Sequence, residues 1–215
     1  EGDMLAALGM RYGSEKAIDF AVEVQQNLAV EAYRSSVNMA AERGAFPIYD
    51  TKREEHNPMI DRIRTVDPEL YALMSKVGRR NISLLTIAPT GTTSLMTQTT
   101  SGIEPVFLPF YIRRRKVNPN DKNAVITFKD DVGDCWEEYY VFHHKFLTWC
   151  EVNGIPAEDV RKMSVKDVET LVEKSPYHRA TSADIDWVAK VRMQGSIQKW
   201  VDHSISVTVN LPNSV

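Results

Sequence analysis

The stretch from Leu84 to Pro105, Leu-Leu-Thr-Ile-Ala-Pro-Thr-Gly-Thr-Thr-Ser-Leu-Met-Thr-Gln-Thr-Thr-Ser-Gly-Ile-Glu-Pro, constrains the fold more than any other part of the chain. An apolar run from about Ile82 to Ala88, of strand length, passes through a proline and a glycine into a hydroxyl-rich helical stretch. A strand that turns directly into a helix is the repeating unit of α/β folds. It also gathers the unpaired N–H groups of the helix's first turn, and the positive end of its dipole, at one point. That point suits an anion, and phosphate is the expected one. Gly91 is expected to permit the tight turn. No Lys or Arg lies between Arg80 and Arg113, so the donors must be main-chain amides and the hydroxyls of Thr90, Thr92, Thr93 and Ser94. A Walker loop is excluded, because it ends in Gly-Lys-Ser/Thr.

The rest of the chain keeps the α/β rhythm. Ile18, Ala21, Val22, Leu28, Ala29, Ala32, Tyr33, Val37 and Ala40 mark an amphipathic helix from Ser14 to Arg43, capped by Ser14 and stopped by Gly44. Residues 45–65 carry Pro47, Pro58 and no period, and read as an ordered loop. Asp67-Pro68 opens a helix that ends near Gly78. The runs Val106–Leu108 and Ala124–Phe128, separated by Lys116–Lys122, predict a hairpin or a pair of extended arms. Asp134 is placed to cap a helix running to about Val152, and further helices are predicted over 165–174 behind Ser164 and 183–201 behind Ser182. From Ser204 to Leu211 apolar and polar residues alternate strictly, as in a strand whose polar row is either wet or turned into a barrel interior. No linker or repeat interrupts residues 1–215, which read as one continuous unit with a hairpin and helical insertion around 106–180.

Composition narrows the function classes. A formal net charge of −3 offers no general attraction to nucleic acid. The basic cluster Arg113-Arg114-Arg115-Lys116 reads as a solvated strand edge pairing with Asp130, Asp131 and Asp134, with a nucleic-acid patch, or one arginine reaching a loop-bound phosphate, as alternatives. No apolar run approaches the length of about 18 residues that a membrane span needs, and no signal segment opens the chain, so a cytoplasmic protein is expected. Cys135 and Cys150 are expected within or beside the 134–152 helix as small apolar residues, and the adjacent His143 and His144 do not suit joint ligation of a metal. No metal site is implied.

The run Ala88-Pro89-Thr90-Gly91-Thr92-Thr93-Ser94, followed by Ser101-Gly102-Ile103-Glu104-Pro105, closely resembles the substrate-phosphate loop of ribonucleotide reductase large chains, particularly the adenosylcobalamin-dependent class. Gly9-Met10-Arg11-Tyr12-Gly13-Ser14, Gly44-Ala45-Phe46-Pro47 and the stretch from Gln198 to Val207 resemble the same family, in family order. The resemblance implies part of a ten-stranded α/β barrel. It implies substrate-binding residues Ala88, Pro89, Thr90, Gly91, Thr92, Thr93 and Ser94, a ribonucleoside di- or triphosphate substrate, adenosylcobalamin bound by the complete enzyme, and a thioredoxin-type reductant. The family's radical cysteine stands in an Asn-x-Cys-x-Glu arrangement that neither Cys135 nor Cys150 matches, so no catalytic residue is assigned and an upstream catalytic half is expected as partner. Glu104 reads as an orienting or structural carboxylate. Two alternatives remain open: a segment of a subunit-dependent reductase large chain, and a non-catalytic nucleotide-binding accessory subunit.

Overall fold

A computed structural model describes residues 1–118, 120–121, 123 and 125–211. A short helix α1, Gly2–Ala7, leads through a turn to α2, Glu15–Arg43, the 29-residue spine of the molecule. The Ser14 side chain accepts from the Ala17 amide at 3.3 Å, and Gly44 ends the helix at φ 80°, as its sequence predicts. Small residues let neighbours approach this spine closely. Ala17, Ile18 and Ala21 pack with Leu5, Ile103, Met193 and Ile197 in one core cluster. Further along the spine, Ala29, Tyr33 and Val37 pack with Ile60, Ile63, Leu70, Met74 and Trp200 in a second.

Residues 45–65 are not the loop expected of them. They contain a 3-10 turn, Thr51–Glu54, and a helix α3, Pro58–Val66. Asn57 accepts from the Met59 amide at 3.1 Å, Pro58 occupies the first helical position, and Met59, Ile60 and Ile63 form a buried face too short to show a clear period. Asp67 ends α3 and caps α4, Pro68–Val77, accepting from the Leu70 amide at 2.9 Å.

The two expected strands meet as a parallel pair centred on a single bridge, Ile87 to Ile205. The Ile87 amide donates to the Ser204 carbonyl at 3.1 Å, the Ser206 amide to Ile87 at 2.8 Å, and the His203 amide to Leu85 at 3.0 Å. Upstream, the amides of Leu84 and Leu85 donate to the Asp202 carboxylate at 2.9 and 2.7 Å, so a side chain takes the place of a neighbouring strand. Ile205 and Val207 pack on the first core cluster while Ser204, Ser206, Thr208 and Asn210 are exposed. The sheet is incomplete and unclosed, which leaves the polar row outside any barrel interior in this chain.

Between these segments the sequence expectations need correction. The helix expected over 134–152 is a strand followed by a helix. β1, Phe110–Val117, pairs antiparallel with β3, Cys135–Phe142, in the register Phe110 to Phe142 through Val117 to Cys135. β2, Phe128–Lys129, adds to the other side of β3, so of the two runs expected to form a hairpin only the end of the second enters the sheet, while Val106–Leu108 lies in no strand and precedes β1. Pro119, Lys122 and Ala124 of the expected connection lie outside the described residues. Trp136, Tyr139, Tyr140, Val141 and Phe142 favour the pleated surface over the helix, and Arg114–Glu138 and Arg115–Glu137 ion pairs tie the strands at 2.5 and 2.6 Å. Lys116 pairs with Asp134 as expected, but the other two partners are glutamates of β3. The remaining helices are α6, His144–Val152; α7, Ala157–Val160; α8, Val165–Lys174, behind Ser164; and α9, Trp187–Gln198. The last starts behind Asp186 instead of Ser182, whose amide donates to the Val106 carbonyl at 2.9 Å. Val106, Phe146, Leu147, Cys150, Val160, Val168 and Tyr177 build a third core cluster, joined to the rest through Ala6.

Candidate functional site

Beyond the Ile87 bridge the chain turns at Ala88, Pro89 and Thr90 into α5, Gly91–Thr97. The turn is made by Thr90, in the left-handed region at φ 46° and ψ 31°, and not by Gly91, which is the first helical residue and needs no positive φ. A Cβ on Gly91 would meet nothing within 4 Å, so glycine here leaves space in front of the helix start. No acceptor among the described residues meets the amides of Gly91, Thr92 and Thr93. Ser94 is drawn into the helix instead: its amide donates to the Thr90 carbonyl at 2.9 Å and its hydroxyl to the Gly91 carbonyl at 2.7 Å. The hydroxyls of Thr90, Thr92 and Thr93 are therefore the side-chain donors left at the bend, and all three residues are exposed.

The returning segment supports the bend from beneath. Gly102 has φ 52°, and a Cβ there would come within 3.1 Å of the Ala88 carbonyl oxygen. Ile103 is buried in the first core cluster, and its carbonyl accepts from the Tyr12 hydroxyl at 2.5 Å. Glu104 forms an ion pair with Lys190 of α9 and accepts from the Thr208 amide at 2.7 Å. It thereby joins the return segment, α9 and the extended 204–211 stretch, the structural role its sequence context suggested.

A cleft of about 390 Å³ opens beside the bend, lined among others by Ser94, Thr99, Glu104, His143, Ser182 and Asn210. Its far wall is held by a cluster that sequence reasoning did not find. His143 Nε2 lies 2.8 and 3.0 Å from the two carboxylate oxygens of Asp3. The same carboxylate accepts from the Tyr177 hydroxyl at 2.9 Å and the Thr100 amide at 2.7 Å. Burial pushes the Asp3 carboxyl up, but the His143 hydrogen bond and charge, with the bonds from Thr100 and Tyr177, outweigh it and hold the group below its ordinary value. Residues separated by 97, 140 and 174 positions carry no local sequence signal of such a meeting.

Neither cysteine lines this cleft. Cys135 is buried at the start of β3, on a strand and not the expected helix, and Cys150 is buried in α6, where desolvation pushes its thiol up to about 11. Both behave as apolar residues. Among the described residues no cluster of three His, Cys, Asp or Glu side chains could hold a metal ion, and no helix is long and apolar enough to cross a membrane.

A family model described as the ribonucleotide reductase barrel domain matches residues 1–215. The vitamin B12-dependent ribonucleoside-diphosphate reductase of Mycobacterium tuberculosis (strain CDC 1551 / Oshkosh) is 28% identical over 211 residues, covering 98% of this chain and 26% of that protein. The ribonucleoside-diphosphate reductase subunit alpha of Chlamydia pneumoniae is 29% identical over 231 residues, 97% of this chain and 21% of that protein. A vitamin B12-dependent ribonucleoside-diphosphate reductase of Thermoplasma acidophilum is 26% identical over 219 residues, 97% and 23% respectively. The chain thus spans about a quarter of the length of the curated relatives it matches.

Proposed function

This chain belongs to the ribonucleotide reductase barrel-domain family, and we propose that within a complete cytoplasmic reductase it supplies the grip on the substrate's phosphate tail. The observation that carries the reading is the bend at 88–94: three consecutive amides without an acceptor among the described residues, flanked by the exposed hydroxyls of Thr90, Thr92 and Thr93. A di- or triphosphate would accept from those donors at the start of α5 with no Lys or Arg required. The segment's contribution is orientation. Fixing the tail fixes the ribose relative to reacting groups supplied by the upstream half of the enzyme, and such positioning is worth about 7–11 kcal/mol in favourable cases.

The unclosed pair at Ile87 and Ile205 is read as part of a ten-stranded barrel, and residues 106–180 as an insertion on it. Adenosylcobalamin would supply the radical-initiating chemistry of the complete enzyme, a reading supported by the relatives named as vitamin B12-dependent. A thioredoxin-type reductant would act on the complete enzyme at cysteines other than the two here, since both are buried. Relatives named as vitamin B12-dependent and as a subunit alpha match at 28% and 29% identity, and a phosphate grip at the bend is compatible with either class of reductase.

Gly91→Val tests the reading in the complete enzyme. The backbone tolerates it, because Gly91 has no positive φ, but the side chain fills the space through which phosphate must approach. Affinity for a nucleoside diphosphate, measured by calorimetry, should fall at least about tenfold, the loss of one to two charge-assisted hydrogen bonds. Unchanged affinity in a variant with a native circular dichroism spectrum rejects the loop as the phosphate site. Binding by the isolated chain, with no turnover until an upstream polypeptide is added, would distinguish an accessory subunit from a self-sufficient enzyme.

A further inference from the structure

On the reading of the bend as the phosphate loop, the cleft that Ser94 borders adjoins a strongly anionic group, yet no Lys or Arg is found among the described residues that line it. The one lining side chain there that can become positively charged is His143. Its Nε2 is fixed on Asp3, and Asp3 is itself fixed by Tyr177 and Thr100. The ring can therefore meet an anion in the cleft through Nδ1 alone. His143 occupies the cap position of α6 without a side-chain bond to that helix, so Nδ1 is not consumed there.

We propose that His143, on the wall of the cleft that Ser94 borders, is a second contact for the substrate's phosphate tail, and that it binds the anion in its doubly protonated form. The inference rests on the reading of the bend as the phosphate loop and adds a residue and a proton to it. An ionised Asp3 selects the tautomer that carries hydrogen on Nε2, which leaves a neutral ring with a lone pair at Nδ1, a repulsive partner for phosphate oxygen. A ring protonated on both nitrogens donates to Asp3 with one and to phosphate with the other. Asp3 then acts as the positioning residue: it fixes the ring plane and stabilises the imidazolium when the anion arrives. The other ionisable groups around the ring are Tyr177, edge-on at 5.8 Å, Glu104 on the cleft wall, already paired with Lys190, and His144 and Lys145 on the same helix. Among these the Asp3 carboxylate is the one bonded to the ring, so the charge that enters with the anion is matched by the proton taken up.

Calorimetric titration of the complete enzyme with cytidine diphosphate at pH 6 and pH 8, in two buffers of different ionisation enthalpy, tests the proposal. The terminal phosphate of the probe titrates near pH 6 as well, so the comparison is between the native enzyme and His143→Gln, whose amide can still donate to Asp3 but cannot take up a proton. The native enzyme should bind about tenfold more tightly at pH 6 than His143→Gln does, with about one more proton taken up, and the two should converge at pH 8. Asp3→Asn should lose most of the same uptake. Equal affinity and equal proton uptake in native and His143→Gln enzymes, with Gly91→Val still weakening binding, overturns the role of His143 and leaves the loop intact. Failure of the native enzyme to bind the probe overturns both. Should His143→Gln fail to fold, absence of net proton uptake by the native enzyme beyond that of the probe refutes the proposal by itself.

Discussion

The ion pair between Glu104 and Lys190 ties the return segment to α9 through a buried ammonium. The Lys190 side chain, on α9, is only 3% exposed, and that of Glu104 is 24% exposed. Glu104→Gln keeps the shape and an acceptor for the Thr208 amide but removes the charge that compensates a buried ammonium. Breaking a buried pair from one side costs about 3–5 kcal/mol, and the retained amide oxygen places this change near the lower end, about 3 kcal/mol. With a urea slope of about 2 kcal/mol/M the midpoint should fall by about 1.5 M, and the melting temperature by about 6–12 °C. Fluorescence of Trp200, buried in the second core cluster near the end of α9, reports the transition. Adding Lys190→Met to Glu104→Gln removes the stranded charge and should recover most of the loss, to within about 1 kcal/mol of the native protein. A midpoint shift below about 0.3 M for Glu104→Gln, or further destabilisation on adding Lys190→Met, would refute the assignment of Glu104 as the group that holds α9 and the 204–211 stretch to the return segment.

Gly78 has φ 79°, and a Cβ there would stand 2.5 Å from the Ala45 Cβ and 3.0 Å from the Tyr49 ring, so Gly78→Ala should cost about 2–5 kcal/mol in thermal unfolding. Gly133→Ala, at φ 87° with open space around it, should cost only the backbone part, about 1–2 kcal/mol; equal losses at the two positions would remove the steric argument. Cys150, with its thiol raised to about 11, should resist a disulfide reagent at pH 8 in a Cys135→Ala background until the protein unfolds, and rapid native-state labelling would contradict its burial. The Asp3 carboxyl is lowered in the folded state, so its stabilisation is present above the unfolded carboxylate value of about 3.9 and is lost as pH falls through the lower folded value. Asp3→Asn should therefore be less stable than the native protein at pH 7, with the gap closing toward pH 2; a gap independent of pH would show that the charge of Asp3 contributes nothing.

What the sequence disclosed and what it hid divide along the range of the interactions involved. α2 and α4 were legible because each carries its own start and stop: Ser14 and Gly44 for one, Asp67-Pro68 and Gly78 for the other. The strand-to-helix bend at 88–94 was legible for the same reason, although the residue that turns is Thr90 and not Gly91. α3 is not legible because two prolines and three buried residues in nine positions give no period, although Asn57 caps it. The segment from Cys135 to Phe142 was misread as helix because its aromatic side chains fit either period, and the partner that decides, β1, begins 25 positions earlier.

The site follows the same division. The proposed donors are neighbours along the chain, so the proposal of an anion site at the bend draws on residues 90–93 that the sequence already groups. Its far wall is assembled from α1, the cap of α6 and the segment after α8, which meet on the single carboxylate of Asp3. Nothing local marks Asp3 as different from any other acid in a first helical turn. A hydroxyl-and-amide grip without Lys or Arg is selective for geometry but weak in charge, and a cation placed permanently in the cleft would bind phosphate well yet release it poorly. On the proposal made for His143, a histidine held by a buried carboxylate resolves that conflict by taking up its charge with the anion. The long-range contacts that sequence patterns do not register are therefore the ones that would set how tightly, and at what pH, the locally encoded bend holds its ligand.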